Sequence, residues 1–194
     1  MSIKKFLRML LPIGLVFSAL IYIIGLNSYY IQNERSEKEL NELSYFSSEF
    51  SLETLEGTAF NDDYIQSHKL TVINGWAPWC VHCVEEMPDL EILSNEYAER
   101  GVGIVGVVAD FSKNAASDAT YHNQVIEMAR QTGVDYPIAL CDERFEDEVS
   151  VTMNGAFPAT WIVDSNGELV SFILGSNTKE EWSEIFDKCL DAIE

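Results

Sequence analysis

Cys80 and Cys83 stand two residues apart in the stretch Trp76-Ala77-Pro78-Trp79-Cys80-Val81-His82-Cys83. Two thiols at that spacing can cycle as a dithiol–disulfide couple or supply half of a metal site. An apolar run, Leu70 to Ile73, precedes them and a helical pattern begins near Val84, so the pair falls where a strand turns into a helix. At a helix start, unpaired backbone N–H groups and the positive end of the helix dipole stabilise a thiolate. Cys80, in the first turn, is therefore the expected nucleophile. Cys83, one turn further in and shielded, is the thiol that resolves the mixed disulfide. A closed zinc site needs four ligands, and no second C-x-x-C or H-x₃₋₅-H pair follows at a suitable spacing. His82 can act as a third ligand only by distorting the helix start, so redox chemistry ranks above metal binding.

Two neighbours can tune this dithiol. The imidazole of His82, as a cation, can stabilise the Cys80 thiolate; its plain alternative is a solvent-facing turn residue. Glu86 follows Cys83 by three residues, which on a helix is the same face one turn on, where a carboxylate can accept the Cys83 proton directly or through water. Taken alone, a solvated carboxylate beside Glu85 is the simpler reading of Glu86.

The motif W-A-P-W-C-x-x-C resembles the active site of the thioredoxin superfamily. Four further segments resemble its membrane-anchored TlpA/ResA-like branch: Phe50 to Gly57 its opening hairpin, Glu85-Glu86-Met87-Pro88 the continuation after the second cysteine, Gly101 to Ala109 the next strand, and Phe157-Pro158-Ala159-Thr160-Trp161-Ile162-Val163-Asp164 the cis-proline strand. The resemblance runs over residues 50 to 193. It implies a thioredoxin-like α/β fold, a central mixed sheet flanked by helices, with an N-terminal hairpin and a central αβ insertion.

The resemblance also implies site roles. The branch places an active-site glutamate at the spacing of Glu86. Asn74, six residues before Cys80, stands where thioredoxin has a buried aspartate, so one proton relay is missing and Glu86 becomes the better base. Pro158 resembles the cis-proline that faces the dithiol and leaves a neighbouring backbone to pair with substrate. Phe157 then lines the groove, with Trp76, Pro78 and Trp79 as its apolar floor. Superfamily members that oxidise, of the DsbA and protein disulfide isomerase types, carry histidine at the position of His82.

Charge is unevenly spread. Of the 12 basic residues, Lys4, Lys5 and Arg8 lie in residues 1–31, which hold no acid; the remaining nine accompany all 32 acidic residues, a net of −23. An acidic body argues against nucleic acid as a partner, because phosphate neutralisation needs a basic face. Met9 to Leu26 is uncharged and mostly apolar, and as a helix it would span about 27 Å, close to the hydrocarbon thickness of a bilayer. No small-residue cleavage site follows it, and Tyr29 and Tyr30 suit a membrane interface. Residues 1–31 are thus expected to be an uncleaved anchor with a cytoplasmic N-terminus, residues 32–49 a tether, and residues 50–194 a single extracytoplasmic domain.

Along that domain, Gly57 marks a hairpin turn, and Leu70 to Trp76 reads as a strand buried on both faces. Val84, Met87, Leu90, Leu93 and Tyr97 share one face of a helix interrupted by Pro88, which should kink it. Gly103 to Ala109 is the next parallel strand. Ser117 to Gln131 reads as a helix with Val125, Ile126 and Ala129 inward, Tyr136 to Leu140 as a strand, and Asp142 to Ser150 as a short acidic helix. Asp164-Ser165-Asn166-Gly167 joins two strands, and Thr178-Lys179-Glu180-Glu181 opens the last helix with a capping box, its face being Trp182, Ile185, Phe186, Cys189, Leu190 and Ile193. Cys189 reads as a buried, inert thiol; Cys141, at a strand end beside Asp142 and Glu143, has no assigned role, and a Cys141–Cys189 bridge stays open without being indicated. His68 and His122 receive no role.

The expected function is a membrane-tethered thiol-disulfide reductase without a cofactor, monomeric, acting on disulfides of exported proteins. By resemblance, apocytochrome c or an exported reductase is the substrate and a membrane thiol carrier of the CcdA or DsbD kind supplies electrons. Two alternatives stand beside it. One is an oxidase of the same fold, suggested by His82. The other is an SCO-like copper-binding assembly protein, which is disfavoured because such proteins resemble C-x₃-C with a distal histidine.

Overall fold

A computed structural model describes residues 46, 48–108, 119–146 and 155–194, all within the unit Glu42–Glu194. The expected anchor, most of the tether, and the starts or ends of several expected elements (Ser117, Ala109, and 147–150) lie outside the described residues. Among those described, no helix is long and apolar enough to cross a membrane.

The elements run β1 (Ser51–Glu53), β2 (Ala59–Asn61), α1 (Asp62–Gln66), β3 (Leu70–Trp76), α2 (Val81–Tyr97), a 3₁₀ turn (Ala98–Arg100), β4 (Val102–Val108), α3 (Ala119–Thr132), β5 (Ile138–Leu140), β6 (Ala159–Asp164), β7 (Leu169–Leu174) and α4 (Lys179–Ile193). β1 and β2 form the expected antiparallel hairpin, turned at Gly57, whose φ of 76° a side chain would resist. The main sheet has the order β5-β4-β3-β6-β7, with β3 parallel to β4 and antiparallel to β6. β3 is thus central, and all seven of its residues are buried.

Alternation along the central strands divides the core in two. Leu70, Val72 and Trp76 join Met87, Leu90 and Leu93 of α2 and Trp182 and Phe186 of α4 on one face. Ile73, Val105, Val107 and Trp161 join Phe60 of the hairpin, Ile65 of α1 and Phe145 on the other. Phe46, within the stretch expected as tether, is buried there too, edge-on to Phe50 at 5.9 Å. Asn74 shares the face of Val72 and Trp76, and so looks toward α2. Gly75 lies opposite Ala159, and a Cβ there would come within 3.0 Å of the Ala159 carbonyl oxygen, so glycine permits the close approach of the segment after Pro158.

Two expected faces need correction. In α3 the inward residues are Tyr121 and Val125 with Met128 and Ala129 packed behind, one to two turns apart; Ile126, about 100° round from Val125, is 42% exposed. In α4, Ile193 lies past the last packed turn and is exposed.

Candidate active site

Cys80 is the N-cap of α2, one residue outside the helix, with extended backbone angles. Its Sγ accepts the backbone N–H of Cys83 at 3.2 Å, the place a serine or aspartate oxygen takes at other helix starts. Its carbonyl accepts from Val84 at 3.2 Å, so the first turn is closed around the sulfur. Cys80 and Cys83 are joined as a disulfide with Cα atoms 5.3 Å apart. Cys80 keeps 7% of its surface and Cys83 none, which matches an outer nucleophile and an inner resolving thiol. Cys141 and Cys189 are not disulfide-bonded to each other.

Glu86 is not on the solvated face. It is 3% exposed, whereas its neighbour Glu85 is exposed and bonds His82 Nδ1 at 3.2 Å. Three donors meet at the Glu86 carboxylate. Asn74 Nδ2, from β3, donates to Oε1 at 3.0 Å and also to Thr160 Oγ1 of β6 at 3.0 Å, Thr160 being its direct cross-strand partner. The backbone N–H of Asn177 donates to Oε2 at 3.3 Å, and Trp182 Nε1, from α4, donates to the same oxygen at 3.2 Å. Burial, opposed by these three donors and aided by the charge of Asp89, pushes the Glu86 carboxyl up to about 7. Tyr136, just before β5, faces the same region: burial and then the charges of Glu86 and Glu91 raise its phenol.

A raised carboxyl has a consequence for stability. Between about 4.5, its ordinary value, and about 7, the folded chain holds a proton that the unfolded chain releases, so stability fully present below that window falls as pH rises through it. The loss is about 3 kcal/mol. Urea midpoints measured across this range should therefore fall more steeply for the wild type than for Glu86→Gln. A constant difference between the two would contradict the assignment.

The outer surface is apolar. Trp79 is 60% exposed and packs edge-on against Phe157 at 5.4 Å, on the far side of the cis peptide bond Phe157–Pro158. Pro78 and Trp79 also line a groove of about 670 Å³ against α3, completed by Tyr121, Gln124, Glu127 and Met128.

The Redoxin family model matches residues 45–188. The chain belongs to the Redoxin family. It is 28% identical over 169 residues to the thioredoxin-like protein YneN of Bacillus subtilis (strain 168), covering 87% of this chain and 93% of that one. It is 27% identical over 146 residues to the thiol-disulfide oxidoreductase ResA of Bacillus thuringiensis (strain Al Hakam), covering 75% and 78%. Among solved structures, a thiol:disulfide interchange protein of Chlorobium tepidum TLS matches with a TM-score of 0.60 at 22% identity, over 73% of this chain and 93% of that one. StoA from Bacillus subtilis matches with a TM-score of 0.55 at 20% identity, over 71% and 96%. The fold is thioredoxin-like, the chain is a TlpA/ResA-like member of that superfamily, and it is a thiol-disulfide oxidoreductase with Cys80 and Cys83 as its redox pair.

Within this Redoxin-family site, the structure brings together Cys80, Cys83, Glu86 and Asn74, and places Pro78, Trp79 and Phe157 at the surface beside them. Trp76 is a correction. It is fully buried at the end of β3, its ring beside Gly106, and so belongs to the core rather than to a groove floor. Pro158 is buried as well, its carbonyl accepting from Gly175 at 2.8 Å. His82 points away from the core, its ring nitrogen on Glu85. Asn177 and Trp182 carry no motif, and Trp182 is visible in the sequence only as one apolar position of the last helix.

Proposed function

We propose that this protein is a membrane-tethered, extracytoplasmic reductase of disulfides in exported proteins. The observation that carries the reading is Glu86, a carboxyl buried one helical turn from Cys83 with a proton affinity near neutrality. The Cys80 thiolate attacks one sulfur of a substrate disulfide, breaking its S–S bond and expelling one substrate thiolate, which takes a proton. Glu86 takes the proton of Cys83, and the Cys83 thiolate attacks Cys80 in the mixed disulfide. The Cys80–Cys83 bond forms and the second substrate thiol leaves; two electrons and two protons have passed to the substrate.

The charges favour reduction over oxidation. A strongly oxidising dithiol needs a stabilised reduced form. Here the cation that would stabilise a Cys80 thiolate, His82, has its ring nitrogen on Glu85, and the residue one turn beyond the inner thiol is the carboxyl of Glu86, itself under the negative charge of Asp89. Negative charge disfavours thiolate and so favours the disulfide, which makes the dithiol a reductant. Trp79, Phe157 and the groove against α3 receive the substrate chain on either side of its cysteine.

The basic head and apolar span at Met9 to Leu26 support tethering with the domain outside, where the pair stays oxidised unless a membrane thiol carrier of the CcdA or DsbD kind reduces it. Equilibration with glutathione should give a potential well below that pool's own, and protease added to spheroplasts should digest the domain. A potential in the range of DsbA would mark an oxidase. A domain protected until lysis would remove the outside location.

A further inference from the structure

The donor set around Glu86 contains a group that the reaction as written does not use. Among the described residues Oε1 has a single donor, Asn74, which is shared with Thr160. Oε2 has two, and one of them is an indole from the other end of the domain. Trp182 has no exposed surface and packs on Phe186, with ring centroids 5.8 Å apart. A phenylalanine could make that packing; the N–H is what only tryptophan adds.

The start of α4 is built to hold that indole in place. Thr178 Oγ1 accepts from the Glu181 backbone, and the Glu181 carboxylate accepts from the Thr178 backbone N–H at 2.9 Å, which fixes the first turn. The backbone N–H of Trp182 then donates to the Thr178 carbonyl at 2.9 Å. Lys179 reaches Glu96 of α2 at 2.7 Å, and Tyr97 donates to the Ser183 carbonyl at 3.1 Å, so α4 is pinned to the helix that carries Glu86.

We propose that Trp182 is a positioning residue for the resolving step: its indole N–H holds Glu86 Oε2, fixing the carboxylate one turn beyond Cys83 and stabilising its ionised form. The proposal rests on the reading of Glu86 as the base for Cys83. In a buried site the ionised carboxylate exists only to the extent that donors replace water, so losing one of three donors moves the proton affinity upward. The other titratable groups facing Glu86 are Asp89 on its own helix, Tyr136 before β5 and the two cysteines; Asn74 and Thr160 on the sheet and Asn177 before α4 are neutral. In the first turn of α4, Lys179 is paired with Glu96 and Glu181 with Thr178. Trp182→Phe changes none of these charges.

The test uses the full chain in a Cys141→Ser background, reduced and mixed with an aromatic disulfide in a stopped-flow instrument. The first thiol released reports Cys80 and the second reports resolution by Cys83. In parallel, carbon-13 NMR follows the Glu86 carboxyl, assigned by its loss in Glu86→Gln. Trp182→Phe should move both the carboxyl titration and the acid limb of the second release up by about one pH unit, slowing resolution about tenfold at pH 6 and hardly at all at pH 9. The first release should not change. Site-specific replacement of the indole by benzothiophene, which keeps the shape and loses the N–H, should reproduce the shift if the phenylalanine variant folds poorly.

Equal slowing at every pH, or an unmoved titration, overturns the proposal in favour of plain packing. A limb that disappears in Glu86→Gln but stays in place without the indole N–H overturns the proposal alone. A limb that survives Glu86→Gln overturns the reading of Glu86 as the base, and the role of Trp182 in the step with it.

Discussion

Cys83→Ser should leave the protein covalently attached to its substrates. Cys80 keeps its place at the head of α2 with the residue 83 N–H aimed at its sulfur, so the first exchange proceeds, and the thiol that would release the product is gone. Non-reducing gels of cells expressing this variant should show high-mass adducts that vanish on reduction. Cys80→Ser should show none and should lose at least about 10³-fold in turnover, because the inner thiol has no exposed surface from which to attack. The same geometry predicts that iodoacetamide labels Cys80 before Cys83 in the reduced protein at neutral pH. Adducts formed through Cys83, or first labelling there, would reverse the two roles.

Glu86→Gln should slow the second step about 100-fold near pH 8 while leaving the first almost untouched. The sign with pH follows from the raised carboxyl. Above about 7 the wild-type Glu86 is ionised and can take the Cys83 proton; below it the group is already protonated, so resolution slows as pH falls through that value. In the glutamine variant this limb should be absent. Glu85→Gln is the control, since Glu85 projects into solvent one position away and pairs with the exposed His82. Equal losses from the two substitutions would indicate a general effect of charge, and no loss from either would leave Glu86 as a buried structural carboxyl.

Much of this arrangement can be read from the sequence because its signals are local. The C-x-x-C spacing, the apolar run of β3, the turn at Gly57 and the capping box at Thr178 each need only a few neighbouring residues, and each appears where expected. Glu86 was legible through helical spacing from Cys83. Its burial was not, because burial comes from Asn74, Asn177 and Trp182, which arrive from other elements. Trp76 shows the opposite failure. Its place in the motif suggests a surface role, but β3 is the central strand, covered on both faces, and a strand so placed buries every side chain it carries. Ile126 fails for a different reason: the buried face of α3 is centred on Tyr121 and Val125 with Met128 and Ala129 beside them, which puts Ile126 at its outer edge, a choice between neighbouring positions that only the packed sheet decides.

The partners of Glu86 are spread along the chain, at positions 74, 177 and 182, with sequence separations of 91 and 96 for the two donors to Oε2. Contacts of that range form only when distant segments have already come together, and they rank among the slow steps of folding. The two cysteines, three residues apart, are under no such delay. An incompletely folded molecule therefore has a thiol able to form a mixed disulfide before it has an organised base to undo one. Refolding the reduced chain in the presence of a small disulfide should therefore leave more mixed adduct than adding the same disulfide to the folded protein, and equal yields would show that the base is in place as early as the thiol.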